Sequence, residues 1–353
     1  MDPLDPNTSI AIVGAGVRCA VGLASQSAAA AVRAGISGLR EHAWLLDKVG
    51  APMMVAPEPT LDPGLQDARR FAHLAAPALT EALAVLTRIN ASPETVPAMI
   101  GLPGARPGLP ADIEDALIDV MAITKYTSGK ADIRFFPNGS ASGLLALKHS
   151  RDILLGGASR FCLVGGVDSY LMADSLEWMD EVGMLKSPAN RNGFPPGEAA
   201  GFCLLTTGAT ARLMGLDVVG WLHAVEIAQE PSPIRTSTIC VGLGLSQAIR
   251  RASASLKLPD ERFDNSICDL NGEPYRSEEF ALTVLRTQLA FVDATRFVTP
   301  ADCWGDVGAA SGPLFVNLAV EAAARGYAKG PLTLLWASSE GGERAAAVVH
   351  TPL

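Results

Sequence analysis

The chain has 353 residues, with 28 Lys and Arg against 37 Asp and Glu, for a formal charge of -9. With 48% hydrophobic and 18% charged residues it can build a large buried core, which speaks against general disorder. The length suits two fused domains, and a dispersed acidic balance without a Lys/Arg block speaks against a nucleic-acid surface.

Taken from the N-terminus, MDPLDPNTSI has no basic region followed by an apolar stretch, so no secretory signal is expected. Residues 9–13 (SIAIV) read as a short buried strand followed by a loop, GAGVRCAVGL. The Ala-rich stretch 25–33 predicts a helix with Ser25 or Ser27 as its cap and Gly35 as its stop. An irregular Pro-rich stretch, 51–64, precedes a second helix over 67–90. Residues 98–102 (AMIGL) read as a strand and 111–123 as a helix.

Phe135 and Phe136 lead into PNGSASG, after which 144–155 forms an apolar helix ending at Gly156-Gly157. A strand over 160–164 ends in Gly165-Gly166, and a helix follows around 171–182. The loop SPANRNGFPPGE then enters a strand over 200–206. The pattern restarts at 212–218, with a strand over 218–228, a helix over 242–256 and a strand over 265–270. Helices over 278–289 and 308–325 and paired strands, 333–338 and 344–350, close the chain. Short buried strands alternating with helices mean an α/β architecture. The second half echoes the first, which divides the chain into 1–214 and 215–353.

No apolar run reaches the ~18 residues of a membrane span. The six cysteines (Cys19, Cys162, Cys203, Cys240, Cys268 and Cys303) contain no CxxC pair. Buried free thiols in a reducing cytosol are therefore expected, with no metal site, no disulfide framework and a cytoplasmic location. Gly14 and Gly16 follow a strand, but a dinucleotide fingerprint needs Gly where Cys19 stands, so no cofactor is expected.

Four segments concentrate chemistry. Ser140, just before an apolar helix, reads either as an N-cap or as a nucleophile at a helix N-terminus. Glu198 enters a small-residue strand, where a buried acid must be paired, and it reads as a structural acid holding its loop. The polar run 269–279 is either a pocket wall or a solvated loop that caps the next helix. In 304–312 small residues open a helix, and Asp306 either caps it or lines a pocket.

Together these segments resemble the β-ketoacyl-acyl-carrier-protein synthases of the thiolase superfamily, over about 10–349. The likeness runs through IAIVGAGVRCAVG, SASGLLAL, LVGGVDSYL, RNGFPPGEAAGFCLL, CDLNGEPY and WGDVGAASG. It implies an α/β thiolase-like fold, two similar halves in five α-β-α-β-α layers, and a homodimer. The departures fall on the catalytic triad. The family's nucleophilic cysteine matches Ser140, and its two histidines match Asn271 and Gly305, the latter beside Asp306. A family lysine matches Pro300, and the gating Phe of Phe-Gly-Gly matches Glu340, whereas Glu198 is kept.

None of the five histidines (His42, His73, His149, His223, His350) falls in the matching segments. His149 lies nine residues along the Ser140 helix, ~13 Å away at about 1.5 Å per residue. A helix dipole supplies at most ~2 kcal/mol, or roughly 1.5 pK units. That converts a thiol near neutrality to thiolate but leaves a serine hydroxyl protonated, so Ser140 needs a base that Asn271 cannot be.

Three readings follow. The first is a non-condensing acyl-chain-binding or partner subunit, working with acyl carrier protein, an acyl thioester or an active ketosynthase. The second is acyl transfer through Ser140, with Glu273, Asp306 or Tyr275 moving the proton and Asn271 donating to an acyl oxygen. The third is an active synthase whose nucleophile is another thiol, Cys268 or Cys303. Glu198, Glu273, Tyr275 and Glu340 are the expected pocket residues.

Overall fold

The protein is described by a computed structural model over residues 9–89, 95–124, 126 and 130–352. The expected end of the second helix at Asn90 lies outside the described residues. The first half contains β1 (Ile10–Cys19), α1 (Ser25–Arg33), β2 (Arg40–Leu46), β3 (Pro52–Val55), α2 (Arg69–Arg88), β4 (Ala98–Gly101) and α3 (Ile113–Ala122). It continues with β5 (Ile133–Phe136), α4 (Ser142–Leu155), β6 (Phe161–Ser169), α5 (Ala173–Glu181), β7 (Glu198–Thr207) and α6 (Gly208–Leu213). The second half contains β8 (Gly220–Gln229), α7 (Leu243–Ala252), β9 (Asn265–Cys268), α8 (Pro274–Thr287), α9 (Ala301–Trp304), α10 (Ser311–Ala324), β10 (Leu332–Ser338) and β11 (Glu343–His350).

Strands of the first half line up as β5-β4-β6-β7-β1 and those of the second as β8-β11-β10-β9. The two runs meet where Ile10–Ile12 pair antiparallel with Gly220–Leu222. Next to β9, residues 291–298 run parallel, with bridges Phe263 to Phe291 and Ile267 to Val298. The Val298 amide donates to Ser266 O at 2.8 Å, and the Cys268 amide to Val298 O at 3.1 Å. That segment takes the place of β5, so both halves share one strand order.

Helices α4 and α10 lie between the two runs of strands. Leu144, Leu147, Leu314 and Phe315 share a core with Val164 and Cys203 on one side and Leu335 and Ala347 on the other. Outside, α2 and α3 cover the first half with Phe71, Leu79 and Leu117, while α7 and α8 cover the second with Leu245, Ile249 and Phe280. This is a thiolase-like arrangement in five layers. Among the described residues, no helix is long and apolar enough to cross a membrane.

Several local expectations are corrected. Gly14-Ala15-Gly16 is not a loop, because β1 runs through it to Cys19 in register with β7. A Cβ at Gly16 would stand 2.0 Å from Ala78 O of α2, so the glycine serves close packing. Likewise β6 passes through Gly165-Gly166 rather than ending there. The hairpin of β2 and β3 occupies a stretch read as irregular or left unassigned. Helix α8 begins at Pro274, at the first turn where a missing N–H costs nothing, so most of the polar run 269–279 is helix and not loop.

Candidate functional site

Helices α4 and α10 begin alike. Each follows a glycine of positive φ (Gly139 at 73°, Gly308 at 45°) and a short 3-10 turn, and each opens with a small-residue tetrapeptide, Ser140–Gly143 or Ala309–Gly312. The two first turns cross so tightly that a Cβ on Gly143 would lie 2.5 Å from Pro313 Cδ. Ser140 therefore sits at the molecular centre, in the turn before α4. It is not an N-cap: Ala141 holds the cap position, and no side chain caps that end. Ser140 lines a cleft. The next amide, of Ala141, donates to Ser339 Oγ at 2.9 Å.

Asn271, Glu273 and Asp306 form a closed polar knot. Asn271 Nδ2 donates both its hydrogens, to Glu273 Oε2 at 3.1 Å and to Asp306 Oδ2 at 2.7 Å. Its Oδ1 accepts from the Glu273 amide at 3.1 Å. Asp306 Oδ1 accepts from the Gly308 amide at 2.8 Å, while Gly305, at φ 75°, passes against the Gly197 backbone. Asn271, Glu273 and Asp306 are all buried. The Asn271 amide is spent, so it is not free to donate to an acyl oxygen.

Arg276 ties this knot to the cleft. Its Nε meets Glu273 Oε2 at 3.2 Å and its Nη1 meets Asp269 Oδ2 at 2.7 Å and Ser338 O at 2.9 Å. Burial pushes the Asp269 carboxyl up to about 6, against the pull of Arg276 and the Ser338 amide. Across the cleft Arg106 Nη2 pairs with Asp168 Oδ1 at 2.6 Å, and the guanidinium lies 4.1 Å over the Tyr170 ring. Asp168 is raised by burial, with Arg106 opposing, and its other oxygen accepts from the Ala309 amide at 3.0 Å.

The cleft beside Ser140 has a volume of about 290 Å³ and is lined by Arg106, Asn138, Tyr170, Trp178, Phe194, Arg276, Glu340 and Glu343 among others. Of the expected pocket residues, Glu340 lines it and pairs with Arg235 at 2.9 Å. Glu273 and Tyr275 are not among its lining residues: Glu273 lies behind Arg276, and the Tyr275 hydroxyl is buried without a partner among the described residues. Glu198 lies away from it. It is fully buried, bound by Arg70 through two contacts of 2.6 and 2.9 Å, by Ser169 Oγ at 2.8 Å and by the Glu58 amide at 2.9 Å. Its work is to hold the 57–58 turn onto β7. Asp306 and Gly305 line a separate void of about 10 Å³, too small for a ligand. Arg106, Asp168, Tyr170 and Glu343 were missed from the sequence; a lone Asp inside the apolar run of β6 was the available signal.

Other donors of chemistry are remote or inert. His149 packs on Phe136 at 4.7 Å and turns its Nδ1 to Leu145 O at 3.1 Å. Burial raises the thiols of Cys268 and Cys303, and Cys268 Sγ donates to Val298 O at 3.7 Å, the reverse of an activated nucleophile. Glu230, Cys240 and Glu279 bring ligand atoms within 4.8 Å of one another. Arg344 Nε already holds Glu279 at 2.7 Å and the Gly244 amide holds Glu230 at 2.7 Å, so this trio is a poor cation site.

Residues 139–211 match the family model of the β-ketoacyl synthase N-terminal domain. No curated protein matches the sequence. Among solved structures, the chain is similar to one chain of the complex between a type II polyketide synthase acyl-carrier protein and its ketosynthase bound to the hexaketide (TM-score 0.81, 14% identity, 98% of this chain and 100% of that one). It is similar to the ishigamide ketosynthase/chain length factor (TM-score 0.81, 17% identity, 98% and 100%). It also resembles the ketosynthase from module 6 of the bacillaene synthase of Bacillus subtilis 168 (TM-score 0.80, 16% identity, 98% and 72%). At such identities the likeness establishes a shared ketosynthase fold.

Proposed function

We propose that this ketosynthase-fold chain is a non-condensing subunit of fatty-acid or polyketide-type metabolism, its Cys-His-His triad replaced at Ser140, Asn271 and Gly305. The observation that carries the proposal is the saturated amide of Asn271, closed onto Glu273 and Asp306. Condensation needs a nucleophile, a base and free donors to the developing oxyanion. Ser140 has no base in contact, the knot offers no free donor, and Gly305 has no side chain. The reading includes a cytosolic dimer, divided at 214/215, that pairs with a second copy or an active ketosynthase and engages an acyl thioester or acyl carrier protein. The ketosynthase/chain length factor relative supports this by analogy of fold alone.

A second reading is acyl transfer through Ser140, favoured by its place in the lining of the cleft beside Arg276. Intact-protein mass after incubation with acyl-carrier-protein and coenzyme A thioesters, with Ser140→Ala as control, separates the two. The proposal expects no adduct and no condensation product. An adduct on the parent and none on the variant makes the chain a serine acyltransferase instead.

A further inference from the structure

A groove of about 440 Å³ lies on the outer face of the second half, lined by Gln229 and Pro231 around the end of β8, Leu243, Gln247 and Arg250 of α7, and Arg286 of α8. It shares no lining residue with the cleft beside Ser140. Leu243, Gln247 and Arg250 stand at i, i+4 and i+7, so one exposed side of α7 presents all three. Arg286 Nη1 donates to Val241 O at 2.6 Å and lays the segment before α7 along α8, where a Cβ on Gly242 would stand 2.7 Å from Glu279 O. Large apolar side chains surround this groove in solvent: Ile239 is 84% exposed, Leu285 72%, Leu289 69% and Leu243 49%. Scattered singly such residues are ordinary, but grouped about one groove they form a patch of the kind that marks a contact surface.

In a chain of net charge -9 the charge at this patch is positive. Arg250 Nη2 donates to Arg286 O at 3.4 Å, and Arg286 Nη1 donates to Val241 O and, at 2.9 Å, to Leu282 O. Neither guanidinium pairs with a carboxylate among the described residues. Both arginines stand in the last turns of their helices, where a cation offsets the helix dipole. That accounts for the charges and leaves the apolar side chains beside them uncovered. An inorganic anion satisfies the guanidinium groups and covers none of those side chains. A second copy seated through a two-fold axis brings the same arginines against each other. Nucleic acid or an anionic membrane is repelled by the net charge of the whole chain. An acidic amphipathic segment meets both demands, with apolar side chains for the patch and carboxylates for the arginines.

We propose that the groove at α7 and α8 is a docking site for an acidic amphipathic helix of a partner polypeptide, its apolar side chains on Leu243, Leu285 and Leu289 and its carboxylates on Arg250 and Arg286. The surface is separate from Ser140, so the proposal stands whether or not Ser140 takes an acyl group. Fluorescence anisotropy tests it, with the full chain titrated into a labelled peptide of ~18 residues that carries Leu at i, i+4 and i+7 and Glu on either side. The expected result is saturable binding at ~50 mM NaCl that weakens as salt is raised. Binding falls at least ~10-fold when Lys replaces each Glu of the peptide, or Ser each Leu. Arg250→Glu and Leu285→Ser, both at exposed positions and checked for folding by circular dichroism, each weaken it about tenfold. No binding up to about 1 mM, equal binding of the Lys peptide, or unchanged binding by both variants overturns the proposal. Capture of the chain by phosphatidylglycerol vesicles that Arg250→Glu abolishes also overturns it and makes the face a membrane surface. Loss of a dimer by either variant in sedimentation overturns it too, and makes the face an interface between copies.

Discussion

Replacing Asn271 with Asp tests the closed knot at its centre. The substitution keeps side-chain volume and the oxygen that accepts from the Glu273 amide, but turns the two donating hydrogens into an acceptor. Two hydrogen bonds to carboxylates are lost, to Glu273 at 3.1 Å and Asp306 at 2.7 Å. At ~1.5–3 kcal/mol for each charge-assisted bond, the expected loss is about 3–6 kcal/mol at pH 7.5. Glu273 keeps Arg276, which pulls the cost toward the lower end, whereas Asp306 keeps only the Gly308 amide. With an unfolding entropy of ~2.1 cal/mol/K per residue, the loss lowers Tm by about 4–8 °C. The introduced carboxyl faces those of Glu273 and Asp306, so it binds its proton more tightly folded than unfolded. Stability lost at pH 7.5 is then partly regained as the pH falls to about 5 and a shared proton replaces one lost donor. Urea unfolding of parent and variant at both pH values measures this. A difference under ~1 kcal/mol at pH 7.5, or one that ignores pH, would refute the knot as the element that closes the site.

Three further outcomes are expected. Arg70→Met strands Glu198 in the core and costs about 3–5 kcal/mol, while the double variant Arg70→Met, Glu198→Leu recovers most of it; equal losses would show that packing, not charge, holds that turn. Asp269 titrates near 6 when folded and near 3.8 when unfolded, so its contribution to stability falls as pH rises from about 4 to about 6. Carbon-13 NMR of the carboxyl should place its midpoint there, and a midpoint below about 4 would mean that Arg276 outweighs burial. Burial pushes Cys162 and Cys240 up to about 11 and Cys19 and Cys203 up to about 12. Iodoacetamide at pH 7.5 should accordingly leave the native protein unlabelled and label all six thiols after unfolding; rapid labelling of Cys268 alone would revive a cysteine nucleophile.

The alternation of short apolar strands with helices, and the repeat of that order after residue 212, were enough to expect an α/β protein of two similar halves. Burial on both faces leaves a period-independent mark, the continuous apolar run, which β6 carries over 161–167 and β7 over 199–205. That Ser140 lies at the start of an apolar helix was also legible, since α4 follows it directly. Where glycine meant close packing rather than a turn, local reading failed: nothing near Gly16 or Gly165 in sequence announces Ala78 O or the Phe202 ring.

Charge pairing was the part that sequence could not reach. Arg70 and Glu198 are 128 residues apart, Arg106 and Asp168 62, and Asn271 and Asp306 35. Each buried acid announced that it needed a partner, since an unpaired charge in a core is prohibitive, but not which of 28 basic residues would supply it. That choice belongs to the crossing of α4 and α10, which brings the ends of both halves to one point. It decided that Asn271 turns inward to two carboxylates and that Arg276, rather than Asn271, faces the cleft with Ser140.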